Sequence, residues 1–144
     1  MGDYSIKAAF EVDTDPARVV EWLSTPTGIA GWWSDGVSGA ASSVGDQFDV
    51  RFPTTDVVFQ LVVAEATDNA VEWSVPASPP WWKGTAIRFD LEGNDSAGTS
   101  MLFTHRGFDP DDPIIAAITP AWVGFLNRLV EVAQTGRADP VVVN

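Results

Sequence analysis

The sequence predicts an α+β domain in which one antiparallel sheet is covered by a long C-terminal helix. Three observations support this fold class. Successive segments alternate apolar and polar residues with a period of two, as strands with one buried face do. Two short segments after the first strand carry helix-start signals, and the end of the chain has an apolar stripe at helical spacing. Because almost every strand has a polar face, one side of the sheet should be wet.

Composition and charge narrow the classes of partner. The chain has 144 residues, of which 45% are hydrophobic, and nothing divides it, so residues 1–144 are expected to form a single domain. The chain has no cysteine, which excludes disulfides and thiolate chemistry. Its net charge of −12 opposes binding to nucleic acid or anionic membranes. No apolar run predicts a membrane span and the first residues do not resemble a signal peptide, so we expect a cytoplasmic protein.

The first strand and two short helices follow from alternation and capping signals. Residues 4–12 alternate and predict a half-buried strand. The Asp-Pro pair at 15–16 predicts the start of a helix that ends near Leu23, and the Thr-Pro pair at 25–26 predicts a second one. The Gly- and Ser-rich residues 34–46 predict a loop.

Five further strands alternate in the same way and bring the total to six. They are predicted at residues 47–52, 57–67, 70–75, 85–92 and 99–108.

A long amphipathic helix is predicted after Pro113. Its apolar stripe consists of Ile118, Trp122, Phe125, Leu129 and Val132. Pro120 leaves two alternatives open, a kink in one helix or a fresh start capped by Thr119. Gly136 suits the position after the helix end. This helix is the expected cover of the sheet.

The only histidine, His105, lies in the last strand, and alternation predicts its direction. Thr104 and Arg106 suit the wet face, so His105 should share the inner face with Phe103, unless a bulge near Gly107 shifts the register. Three roles are open: a core-edge residue with one hydrogen-bond partner, a polar group in a ligand cavity, or a general base. The first is favoured because inward polar groups are usually satisfied locally. No metal site is expected, since one histidine without cysteine leaves only oxygen ligands.

Tryptophan is unusually frequent, with seven in the chain. Trp32 and Trp33 follow the second short helix; at least one should pack on the sheet and the other should lie at an opening. Strand alternation places Trp81 inward and Trp82 outward, where Trp82 would suit a partner contact.

Three segments in this order resemble the helix-grip superfamily of START lipid-transfer domains, birch-pollen-type allergens and polyketide cyclases. They are EWLSTPTGIAGWW, GTAIRFDLEGNDSAGTSMLFTHRGF and AWVGFLNRLVEVAQTGRADP. The chain is most similar to small bacterial relatives of the activator of the heat-shock chaperone ATPase, from residue 6 to residue 140. The resemblance implies a curved seven-stranded antiparallel sheet wrapped around the C-terminal helix. A seventh strand is therefore expected within residues 73–91 or from edge pairing of the first strand.

The resemblance also implies an apolar cavity between helix and sheet, and hence a binding module for a small hydrophobic or aromatic ligand without a cofactor. The cavity candidates are Trp32, Trp33, Phe48, Phe59, Trp73, Phe89, Phe103, His105, Trp122 and Phe125. One alternative is a cyclase- or hydrolase-type enzyme that uses His105 or Asp35 as acid or base, although no catalytic residue is assigned. The other is a stress- or chaperone-linked interaction module or a homodimer. Fold alone does not decide among these.

Overall fold

Seven strands form one antiparallel sheet in the order β1-β7-β6-β5-β4-β3-β2. The strands are β1 (Tyr4–Val12), β2 (Gly36–Gly39), β3 (Gln47–Arg51), β4 (Val58–Ala66), β5 (Ala70–Ser74), β6 (Ala86–Gly93) and β7 (Thr99–Phe108). The helices are α1 (Pro16–Glu21), α2 (Pro26–Ala30) and α3 (Ile114–Thr135), with a 3-10 turn at Pro80–Trp82. This computed structural model describes residues 4–52, 56–94 and 97–137. The helix-grip α+β fold is thereby confirmed.

The two short helices begin where their capping residues predict. The side chain of Asp15 accepts a hydrogen bond from the Arg18 N–H, and that of Thr25 accepts one from the Gly28 N–H. In each helix a proline follows the cap, where its missing N–H costs nothing.

The seventh strand, β2, lies in the segment predicted to be a loop, so both expected locations for it were wrong. Its four residues are glycine, valine, serine and glycine, and they pair with β3 through the backbone alone. Such a short edge strand carries no alternation to detect. Gly39 is required there because its φ is +113° and a Cβ would lie 2.4 Å from the Gln47 carbonyl oxygen.

The C-terminal helix runs without a break through Pro120, so no fresh start occurs at this position. The helix ends at Gly136, whose φ is +75° and whose N–H donates to the Val132 carbonyl, as predicted. By length and composition α3 could cross a membrane, contrary to the expectation that no segment could. In the structure the face that carries Trp122 and Leu129 is buried, but most residues of the apolar stretch of α3 are not.

The outer face of the sheet is polar and carries an ion-pair network. Arg88 contacts Glu65 and Glu72 at 2.8 and 3.2 Å, and its Nε lies 2.9 Å from Asp90. Arg106 binds Glu72 through two hydrogen bonds of 2.9 and 2.8 Å. The hydrogen bond from Arg106 is the main cause of a lowered pKa at Glu72. The prediction of one wet face is therefore confirmed.

Candidate functional site

His105 points into the interior and has no exposed surface, as alternation predicts. A bulge is present near Gly107: Ser5 pairs with Arg106 and Tyr4 with Phe108, and Gly107 has a φ of +106°. Because the bulge follows His105 in the strand, it does not reverse the direction of this side chain.

A chain of hydrogen bonds determines the tautomer of His105. Nε1–H of Trp122 donates to Nδ1 of His105 at 3.1 Å, so Nδ1 carries no proton. Nε2 then carries the proton and donates to Oγ1 of Thr85 at 2.9 Å. The Thr85 hydroxyl in turn donates to the Trp82 carbonyl at 2.6 Å. His105 thus has two side-chain partners rather than the one predicted.

Burial lowers the pKa of His105 to about 3, so the ring is neutral near pH 7. Its only basic nitrogen already accepts the indole N–H of Trp122, and neither ring nitrogen contacts a carboxylate of a described residue. Asp35, the other acid-base candidate, is exposed on the surface. This arrangement fits a structural polar group and lacks the oriented proton path that a general base needs.

Trp32 and Trp33 are both buried, so neither lies on the outer surface. They follow the end of α2, where the rule that adjacent helical residues face apart no longer applies. Their rings stack at 5.7 Å and 9°, and Trp73 stacks on Trp33 at 6.0 Å and 9°. Nε1–H of Trp32 donates to the Trp22 carbonyl at 2.8 Å. Three parallel indoles therefore form the centre of the core.

An apolar pocket of about 220 Å³ opens beside this core, between α3, the 3-10 turn and the β3–β4 end of the sheet. The lining residues are Trp33, Phe52, Phe59, Trp82, Ile118, Ala121, Trp122 and Phe125. None of them is charged. The described residues include no group of three or more His, Asp or Glu side chains that could hold a metal ion.

The aromatic side chains of the pocket form a closed ring around one central indole. Neighbouring centroids in the ring Phe52–Phe59–Trp82–Trp122–Phe125 are 5.4, 4.8, 5.8, 6.2 and 5.7 Å apart. Trp33 lies within 6.5 Å of all five centroids. The three phenylalanines are half-buried, whereas the three tryptophans are buried. The pocket thus has an indole floor and a phenyl edge.

The structure divides the predicted cavity residues into two groups. Four of the ten line the pocket, namely Trp33, Phe59, Trp122 and Phe125. The other six fill the packed interior, and they are Trp32, Phe48, Trp73, Phe89, Phe103 and His105.

Four lining residues were not among the sequence candidates: Phe52, Trp82, Ile118 and Ala121. Two of them could have been found from the sequence pattern. Phe52 continues a strand alternation, and Ile118 belongs to the apolar stripe of α3. The predicted directions of Trp81 and Trp82 were wrong: Trp82 is 5% exposed and Trp81 is 44% exposed. Both lie in the 3-10 turn, where strand parity does not hold. A partner surface centred on Trp82 is thereby excluded.

The fold is similar to several solved bacterial proteins. The chain is 26% identical to the Aha1 protein of Colwellia psychrerythraea, solved as a dimer, with a TM-score of 0.80 over 92% of this chain and 98% of that one. Protein SSP2350 of Staphylococcus saprophyticus is 20% identical, with a TM-score of 0.76 over 96% of this chain and 98% of its own. Protein MLL2253 of Mesorhizobium loti is 17% identical, with a TM-score of 0.74 over 90% of this chain and 96% of its own.

No protein-family model and no curated protein matches the sequence. The resemblance to the helix-grip superfamily and to Aha1-like bacterial proteins is confirmed as a structural match.

Proposed function

We propose that the protein is a cytoplasmic binding module for a small hydrophobic or aromatic ligand, held in the pocket around Trp33. The observation that carries this proposal is an open, uncharged aromatic pocket beside a core of fully buried side chains. Proteins of this fold commonly bind hydrophobic ligands. Pockets with apolar walls on a pre-formed scaffold are the usual form of small-molecule sites.

Ligand binding would remove apolar surface that the free protein leaves exposed to water. Phe52, Phe59 and Phe125 are only half-buried although they belong to the aromatic ring of the pocket. An apolar ligand that removes this surface from water gains about 25 cal/mol per Å². The walls need little rearrangement, because the rings already support one another.

Two steps test this proposal. Native mass spectrometry of freshly purified protein, compared with its denatured mass, detects a retained ligand. Fluorescence titration with naphthalene then tests the site, since three of the seven tryptophans line it. We expect saturable binding, weakened at least tenfold by Ala121→Phe, which fills the pocket.

Ala116→Phe is the matched control, because Ala116 is an exposed residue of the same helix that does not line the pocket. Equal binding by both variants would refute the site.

Self-association is a second candidate function, favoured by the surface of α3. Residues 114–127 contain no charged side chain in a protein with a net charge of −12, and Val123 is 42% exposed. Two copies could meet on this face without charge repulsion, and the similar Aha1 protein of Colwellia psychrerythraea is a dimer. Sedimentation equilibrium should give a dimer at micromolar concentration that Val123→Lys converts to monomer. A monomer at every concentration would refute this candidate.

A further inference from the structure

We propose that the ligand is a flat, uncharged molecule of one or two fused rings with a hydrogen-bond acceptor at its edge. The indole N–H of Trp33 donates to that acceptor. This inference rests on the proposed function and narrows it to a chemical class. It follows from the size of the pocket, the absence of charge in its walls and the hydrogen-bond partners of its three indoles.

The pocket volume sets the size of the ligand. At about 220 Å³, it exceeds a cavity that holds one benzene, which is about 150 Å³. It is smaller than the pockets of drug-sized ligands, which begin at roughly 300 Å³. One or two fused rings fit this range, whereas a lipid with long acyl chains does not.

The walls favour a flat and neutral ligand. Trp82 and Trp122 are nearly parallel, at 16°, whereas Trp33 lies at 25° to Trp82 and at 41° to Trp122. Trp82 and Trp122 therefore set one plane direction along which a flat ring can pack. An anion would lose its hydration without gaining a positively charged partner, and a cation would find aromatic faces but no carboxylate, because none of the described lining residues is charged. The net charge of −12 further opposes an anion.

Trp33 is the indole in the wall that remains available as a donor. Nε1–H of Trp122 is committed to His105. Nε1 of Trp82 is enclosed by protein atoms and has no partner among the described residues. Nε1 of Trp33 has no hydrogen-bond partner among the described residues and is not among their enclosed, unpartnered atoms. An unpaired N–H on a buried side chain of the pocket wall is a donor that an acceptor on a bound ligand would satisfy.

The experiment compares three probes by isothermal titration calorimetry: naphthalene, 2-methoxynaphthalene and 2-naphthyltrimethylammonium. They share a ring system and differ by an added acceptor or an added cation. We expect 2-methoxynaphthalene to bind about five- to tenfold more tightly than naphthalene, as one additional hydrogen bond allows. The cation should bind more weakly than either.

Two tryptophan variants then locate the donor. Trp33→Phe keeps an aromatic ring but removes the N–H, so it should bind both neutral probes equally and retain most of the affinity for naphthalene. Trp82→Phe is the matched control and should keep the preference for 2-methoxynaphthalene. Failure of all three probes to bind would defeat the proposed function itself. Binding of naphthalene without a preference, a preference that survives in Trp33→Phe, or tighter binding of the cation would overturn this inference alone.

Discussion

Two neighbouring parts of the interior are built from the same kinds of side chain, yet one is closed and the other is open. The closed cluster consists of Trp32, Phe48, Trp73, Phe89, Phe103 and His105, all between 0% and 1% exposed. The pocket is lined by Trp33, Phe52, Phe59, Trp82, Ile118, Ala121, Trp122 and Phe125. Trp33 stacks on the closed cluster and forms the floor of the pocket, so the boundary between the two parts runs through one residue.

The difference comes from what lies opposite each set of rings. In the closed cluster, aromatic side chains from β5, β6 and β7 pack on each other, and Trp122 completes the contact with Phe103 at 4.6 Å. At the pocket, α3 presents Ile118 and the small side chain of Ala121 beside the rings of Trp122 and Phe125. The pocket is as rich in aromatic residues as the closed cluster, so the space there is explained by the small side chain that α3 places opposite the rings and not by a lack of aromatic residues.

The largest expected difference between the two parts is in stability. Phe103→Ala should reduce the free energy of unfolding by about 3–5 kcal/mol, because Phe103 is fully buried and its loss leaves a cavity. Phe125→Ala should reduce it by only about 1 kcal/mol, since Phe125 already borders open space. Urea unfolding followed by circular dichroism measures both values. Equal losses would mean that the pocket is as tightly packed as the closed cluster.

Removal of the His105 hydrogen bonds should cause the next largest loss in the free energy of unfolding. His105→Ala leaves the Trp122 N–H and the Thr85 hydroxyl without this partner and should cost about 2–4 kcal/mol. His105→Gln offers one acceptor and one donor in the same region and should restore a good part of that loss. If Ala and Gln destabilise the protein equally, the hydrogen bonds are not what stabilises this part of the core.

The same residue should make stability depend on pH. The folded-state pKa of His105, about 3, lies below its ordinary value of 6.5. Between these values the unfolded chain binds a proton that the folded chain does not. The contribution of His105 to the free energy of unfolding is therefore complete above pH 6.5. It is lost as pH falls toward 3, by up to about 1.4 kcal/mol per pH unit. Urea unfolding at several pH values gives the free energy of unfolding as a function of pH. Between pH 3 and 6.5 the slope of this plot should be smaller by this amount in His105→Gln. An unchanged slope would contradict the assigned burial.

The smallest loss of stability is expected on the outer face of the sheet, away from the closed cluster and the pocket. Glu72→Gln weakens the ion pairs with Arg88 and Arg106 and should cost about 1 kcal/mol, since these groups are only partly buried. It should leave binding of naphthalene unchanged. A loss of binding would show that the pocket depends on the outer face of the sheet.

Sequence reasoning identified those features that depend on local pattern. Alternation located six strands and the direction of His105, and capping signals located α1 and α2. Alternation gave no indication of β2, because the pairing of this strand depends on the backbone of β3. It gave the wrong direction for Trp82, because this residue lies in a turn. The pocket itself was not predictable in position, because neither the alternation around Trp73 nor the helix end before Trp33 indicates which of the two indoles lies beside open space under α3.

The most direct test of the pocket is a nitrogen-proton correlation spectrum of the indole groups during titration with naphthalene, with signals assigned from single Trp→Phe variants. Saturable shifts should be largest for Trp33, Trp82 and Trp122 and small for Trp32 and Trp73. Shifts confined to the exposed Trp81, or equally large shifts in the closed cluster, would contradict a ligand site between α3 and the sheet.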